Sequence, residues 1–138
     1  MVLEGVRQLF ATQSDIDVVG EALNGRDALS MARDIRPDVM VLDISMPGMS
    51  GIEAVPLIKK AAPETAIVIL SMHDVEAYII QALQAGVVGY VLKTEPATHL
   101  LQAVRLASAG KYCLYPNPGG AAVNALMHDV GAEHPIGP

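Results

Sequence analysis

Three short apolar runs, each closing on a polar side chain, constrain this chain more than any other feature. They are DVMVLD (residues 38–43), TAIVILS (65–71) and VVGYVLK (87–93). None alternates apolar with polar residues, so none reads as a strand with one wet face. Each reads instead as a strand buried on both faces, the pattern of a parallel sheet. Parallel strands need long crossovers, and helical periodicity fills the intervals between these runs.

In NGRDALSMARDIRP (24–37), Asn24 is a plausible N-cap, Ala28, Leu29, Ala32 and Ile35 share one face, and Pro37 forbids continuation. Ser50 and Glu53 make an S-x-x-E capping box before AVPLIKKAAP, within which Pro56 is predicted to kink the helix or delay its start. Asp74 caps VEAYIIQALQAG, with Val75, Ile79, Ala82 and Leu83 facing inward and Gly86 as the stop. Pro96 opens the last helix at its first position, and Leu100, Leu101, Val104 and Ala107 face the core until Gly110. Ahead of these units, DIDVVGEA (15–22) carries a β-branched run and is predicted to be a further strand. The alternation predicts an α/β fold, an open parallel sheet with helices on both faces. Beyond Tyr112 the chain turns rich in Pro, Gly and Ala; AAVNALMHD offers a short helix and the remainder reads as linker or tail.

With 138 residues, 51% of them hydrophobic and 17% charged, the chain is one globular domain's worth. A net charge of −6 argues against direct nucleic-acid binding, which needs a basic face for the phosphates. The single cysteine, Cys113, cannot form an intramolecular disulfide, consistent with a reducing cytoplasm. The N-terminus carries no signal-peptide pattern, and no apolar run approaches membrane-spanning length.

Asp43, Ser71 and Lys93 are the polar residues that close the three runs. In an open α/β sheet the carboxyl ends of the strands line one edge, where ligands bind. A carboxylate, a hydroxyl and an ammonium at that edge suit a phosphoryl group: the first can attack phosphorus, the second donate to an equatorial oxygen, the third neutralise charge. Each has a plain alternative taken alone. Asp43 could cap a loop or helix, Ser71 could cap the next helix, and Lys93 could be solvated.

Their conjunction accompanies a resemblance. The stretches VVGEALNGRDAL, RPDVMVLDISMPGMSGIEA, VILSMHD, ALQAGVVGYVLK and AVRLASAGKY resemble the receiver domain of two-component response regulators. Within that family they are most similar to the subgroup with a LuxR/NarL-type helix-turn-helix output domain, and the likeness runs from Met1 to about Tyr115. It implies a flavodoxin-like, doubly wound parallel sheet over 1–115, with 116–138 as linker or tail. It implies that Asp43 is the phosphoacceptor, Ser71 the switch hydroxyl, Lys93 the lysine that pairs with the acidic site, and Tyr90 the aromatic that swings inward. Met46 and Pro47 would shape the loop after the acceptor, and the Ser45 carbonyl would ligate Mg²⁺ together with Asp43. The implied partners are a sensor histidine kinase and a second copy of the receiver, in the cytoplasm, with transcriptional control exercised by a full-length parent. Without the resemblance Tyr90 reads as a core aromatic with an exposed hydroxyl. Met46, Met49 and Met72 read as packing around the site. His73 reads as a loop residue, and His99, His128 and His134 as surface residues without metal-ligand spacing.

The sequence departs from the family at both ends. A family member opens with an apolar strand ending in an acidic pair that binds Mg²⁺; here MVLEGVRQLF matches the helix beyond it, and the acidic pair is absent. The resemblance puts that strand at the sheet's centre, between the residues around Val18–Val19 and those at 39–42, so a gap with unpaired edges is expected. A start at an internal methionine, a shortened piece and a degenerate receiver all account for this, and the first joins the family pattern without a seam. No stretch after Gly110 supplies a helix-turn-helix, so this chain is not expected to contact DNA itself.

Other functions remain open on sequence. A haloacid-dehalogenase-type phosphatase also uses a strand-end aspartate, but wants a second one where Ser45 stands. A flavodoxin-like FMN module needs a phosphate loop near the N-terminus. A pseudo-receiver would bind partners without phosphorylation, which the absent acidic pair favours and the retained Asp43, Ser71 and Lys93 oppose.

Overall fold

The apolar runs do form a parallel sheet. In a computed structural model that describes residues 2–44, 49–72 and 76–115, the elements run α1 (Val2–Ala11), α2 (Gly25–Ile35), β1 (Val39–Asp43), α3 (Gly51–Ala61), β2 (Ala66–Ser71), α4 (Glu76–Ala85), β3 (Gly89–Leu92), α5 (Ala97–Ser108) and β4 (Cys113–Tyr115). The strands lie in the order β1-β2-β3-β4, every neighbouring pair parallel. Register starts where Thr65, itself buried, donates its hydroxyl to the Pro37 carbonyl at 2.7 Å and so ties the entrance of β2 to that of β1.

Side chains that alternate along β2 sort the core into two layers. Ile67 and Ile69 point into one, with Ala28 and Ala32 of α2, Val55 and Ile58 of α3, and Ile79 and Ala82 of α4. Val68 and Leu70 point into the other, with Phe10 of α1 and Leu100, Leu101 and Val104 of α5. Helices on both faces make the sheet doubly wound, as expected. Each aliphatic side chain fully withdrawn from water in these layers contributes about 1.5–3 kcal/mol.

The helix boundaries follow the sequence signals closely. The Asn24 side chain accepts from the Asp27 N–H at 2.8 Å, and α2 ends at Arg36, whose φ of 53° is left-handed, immediately before Pro37. At α3 the capping box is present in both directions, Ser50 to the Glu53 N–H and Glu53 to the Ser50 N–H, each 3.2 Å. This cap fixes the start at Gly51, so Pro56 does not delay the helix, which runs on through it. Gly86 (φ 114°) and Gly110 (φ 78°) leave α4 and α5 in conformations that side chains rarely adopt.

Four expectations need correction. Residues 15–22 form no strand: among the described residues β1 pairs with β2 alone, and without a neighbour to bond to, the β-branched run at Val18–Val19 stays irregular. Pro96 is the N-cap of α5 rather than its first residue, with Ala97 beginning the helix. Met72 is 61% exposed and does not pack around the site, whereas Met49 does pack against the core. The short strand β4 lies where the sequence suggested only a change to linker. The proposed cap Asp74, with Val75, His73, Ser45, Met46 and Pro47, lies outside the described residues, as does everything from 116 onward, His128 and His134 included.

Candidate functional site

Asp43 is the last residue of β1, Ser71 the last of β2, and Lys93 the first beyond β3. Because these three strands are adjacent and parallel, their ends share one edge of the sheet. The Lys93 ammonium donates to Asp43 Oδ2 at 2.5 Å, with 15% and 26% of the two side chains exposed. The pair is therefore reachable from solvent yet shielded enough for its charge to matter. Ser71 is completely buried, and its carbonyl accepts from the Lys93 N–H at 2.7 Å, which fixes the backbone from which the lysine reaches across to Asp43.

The rim of the site is set by backbone geometry beside Asp43. Ile44 donates its N–H to the Leu70 carbonyl at 3.2 Å, and its own carbonyl accepts from the Gly51 N–H at 3.0 Å, closing the loop that α3 follows. A side chain at Gly51 would put Cβ 2.7 Å from the Asp43 carbonyl oxygen and 2.9 Å from Ile44 Cα, so only glycine lets the start of α3 sit this close. Sequence reasoning gave Gly51 no role. The signal was its place one residue after the cap and eight after the aspartate, legible only once the two elements are known to touch.

Tyr90 is among the largest fully buried side chains, 1% exposed, with its backbone opposite Ile69 of β2. The ring is inside the core, and the sequence-only picture of a hydroxyl left in water does not hold. Beyond Ile44 a groove of about 560 Å³ opens between α3 and α4, lined by Ser50, Ile52, Glu53, Tyr78, Gln81 and Gln84. Tyr78, 39% exposed, stands in this groove although the sequence had singled out only the inward face of α4. His99 is half-buried rather than superficial, its Nδ1 3.6 Å from Glu95 Oε2.

The metal question turns on donors. Mg²⁺ demands about six oxygens, commonly one or two carboxylates completed by water. Asp43 is the single carboxylate closing β1, β2 or β3, and it is already paired with Lys93. Among the described residues no three His, Cys, Asp or Glu side chains cluster as metal ligands. The described donor set is a poor fit for Mg²⁺, so the chemistry considered below relies on the chain's own groups. Likewise among the described residues, no helix is long and apolar enough to cross a membrane.

Comparison with known proteins is consistent throughout. The family model for the response regulator receiver domain matches residues 1–105. The transcriptional regulatory protein YxjL of Bacillus subtilis (strain 168) is 42% identical over 111 residues, 80% of this chain and 51% of that protein. The response regulator protein VraR of Staphylococcus aureus is 38% identical over 116 residues, 84% of this chain and 56% of that protein. The chain thus spans about half the length of these relatives. Among solved structures, a LuxR-family two-component response regulator from an Aurantimonas species superposes with a TM-score of 0.82 at 32% identity, over 91% of this chain and 90% of that one. The signal receiver domain of the putative response regulator NarL from Mycobacterium tuberculosis gives 0.76 at 34%, over 80% and 89%.

Proposed function

The chain belongs to the response regulator receiver family of two-component systems, and from that premise we propose that it is a phosphoacceptor switch charged on Asp43 by a sensor histidine kinase. One observation carries this reading: an ammonium and a carboxylate in contact at the carboxyl edge of a parallel sheet. Asp43 Oδ attacks the phosphorus of a phosphohistidine; the P–O bond forms as the P–N bond breaks, and the leaving imidazole takes a proton. Lys93 compensates charge on the phosphoryl oxygens, and the Ser71 hydroxyl turns to donate to one of them. Tyr90, buried beside β2, holds the space that this movement opens. Attack of water on phosphorus reverses the charge, returning the carboxylate and releasing inorganic phosphate. The chain is thus a regulatory domain whose chemistry is confined to itself.

The receiver spans residues 1–115, with 116–138 a linker or tail. Receiver domains as a class bind Mg²⁺ at the phosphorylation site; here Asp43 and the Ser45 carbonyl would be its protein ligands, short of the full set. In a longer parent the switch would act on transcription, as the name of the YxjL relative suggests. We place it in the cytoplasm, pairing with a second copy when phosphorylated.

Intact mass measured after incubation with acetyl phosphate and Mg²⁺, beside an Asp43→Asn control, tests the proposal. A single phosphoryl adduct that the control lacks is the expected result. Absence of the adduct from protein with a folded circular dichroism spectrum would leave a scaffold that binds partners without phosphorylation.

A further inference from the structure

Lys59, in the last turn of α3, donates from Nζ to the carbonyls of Pro63 and Thr65, each at 2.9 Å. Both acceptors are backbone on the turn that leads into β2, and neither can swing away as a side chain can. Thr65 is itself buried and anchored, its hydroxyl on the Pro37 carbonyl and its N–H on the Ala62 carbonyl. The lysine stem runs past Gly86 at the end of α4, where its Cγ lies 3.5 Å from the point a Cβ would occupy. Among the described residues no carboxylate forms an ion pair with Lys59, which is half-buried, whereas its neighbour Lys60 is exposed.

We infer that Lys59 is an acyl-acceptor site, its Nζ taking the acyl group of a small acyl phosphate. The geometry suits the neutral amine. A primary amine has two N–H groups and one lone pair. With both N–H groups on the carbonyls, the lone pair takes the remaining tetrahedral direction and points away from both. The ammonium carries a third N–H, for which no carboxylate is at hand. Burial accordingly pushes the Lys59 ammonium below its ordinary value of 10.5. A desolvated lysine held in this way is an activated nucleophile. Its lone pair attacks the acyl carbon, and a C–N bond forms as the C–O bond to phosphate breaks. The departing phosphate carries off that bond's electron pair and takes the proton shed by nitrogen. The product amide has one N–H where the amine had two. It can serve the Pro63 or the Thr65 carbonyl but not both, so acylation loosens the turn at the entrance to β2.

This inference is independent of phosphoryl chemistry at Asp43. The test incubates the full chain and its Asp43→Asn variant with acetyl phosphate in mildly alkaline buffer. Both are then digested with a protease that cuts after glutamate and mapped by mass spectrometry. Acetyl groups are expected to accumulate on Lys59 about fivefold or more faster than on Lys60 or Lys111, equally in both proteins. In urea, where the carbonyl pair is lost, the three lysines react alike. Lys59→Arg, which keeps donors for both carbonyls, removes the fast adduct and leaves the slow ones. Amide exchange at Thr65 and Ala66 speeds up by about tenfold or more in the acetylated chain and not in Lys59→Arg. Labelling of Lys59 no faster than Lys60 in folded protein, a preference that survives in urea, or unchanged exchange after full acetylation would each overturn the inference. Acetyl on Lys59 without phosphoryl on Asp43 would uphold it and overturn only the phosphoacceptor reading.

Discussion

Lys93 and Asp43, fifty residues apart in the chain, meet at 2.5 Å because β1 and β3 flank the same central strand. The contact belongs to the topology more than to either residue: β2 sets the spacing, and the Lys93 N–H bonded to Ser71 sets the direction of approach. Replacing Lys93 by methionine keeps most of the length and removes the charge. Phosphoryl uptake from acetyl phosphate is expected to slow by about ten- to a hundredfold, with the adduct still on Asp43. Stability should fall by about 1–3 kcal/mol, since both side chains are largely withdrawn from water and Asp43 loses its charged partner. A time course of intact mass and a urea titration measure the two effects separately.

Gly51 makes a different kind of demand. A methyl group there meets backbone, the Asp43 carbonyl at 2.7 Å and Ile44 Cα at 2.9 Å, and backbone cannot rotate away as a flexible side chain can. Gly51→Ala is therefore expected to destabilise the fold by about 2 kcal/mol or more, despite alanine's better helix propensity. Because the displaced atoms belong to Asp43 and its neighbour, phosphoryl uptake should fall too. A variant as stable as the parent in urea would refute the close approach.

The Asp15 and Arg105 side chains tie the segment after α1 to α5, with Arg105 Nε to Asp15 Oδ2 at 2.9 Å and Arg105 Nη2 to Oδ1 at 3.1 Å. The guanidinium hydrogen bond holds the Asp15 carboxyl below its ordinary value of 3.8. A carboxylate depressed in the folded state stabilises at pH above its unfolded value and loses that stabilisation as pH falls through the folded one. The melting temperature of the parent should exceed that of Asp15→Asn at pH 7, and the difference should shrink as pH falls below 3.8 and through the lowered folded-state value. Added salt at pH 7 should narrow it, because the pair is exposed. A difference that persists at low pH would mean the charge is not what matters.

Much of this was legible in the sequence where local physics decides. The capping box at Ser50 and Glu53, the Asn24 cap, and the end of α2 before Pro37 depend on residues a few positions apart, and each appears as read. The buried character of β1 to β3 was visible in their unbroken apolar runs, and with it the shared edge that unites Asp43 with Lys93. The run at Val18–Val19 failed because a strand is a relation between segments: β propensity without a neighbour yields no ladder. The strand β4 was hidden for the converse reason. Its three residues, Cys113 to Tyr115, carry little pattern of their own and are recruited by the free edge of β3, where the Cys113 N–H bonds to the Val88 carbonyl at 2.9 Å. Gly51 illustrates the remaining gap, since a close approach leaves no trace in composition or period.

Tyr90 tests whether the interior of the sheet and the site are one system. Its side chain is 1% exposed and packs in the layer shared by Ile69 and the helices α2 to α4, while its strand ends at Leu92, opposite Ser71. Tyr90→Ala removes a whole ring from that layer and is expected to cost about 3–5 kcal/mol in urea unfolding. Tyr90→Phe keeps the ring and loses only the hydroxyl, for which about 1 kcal/mol is expected. If Tyr90 holds space for a moving Ser71, the phenylalanine variant should take up phosphoryl at nearly the parent rate. It should nonetheless differ from the parent in how hydrogen exchange along β3 responds to phosphorylation. A parent whose β3 exchange is unchanged by a full phosphoryl load would show that the ring is only core, and that any switch runs through other elements.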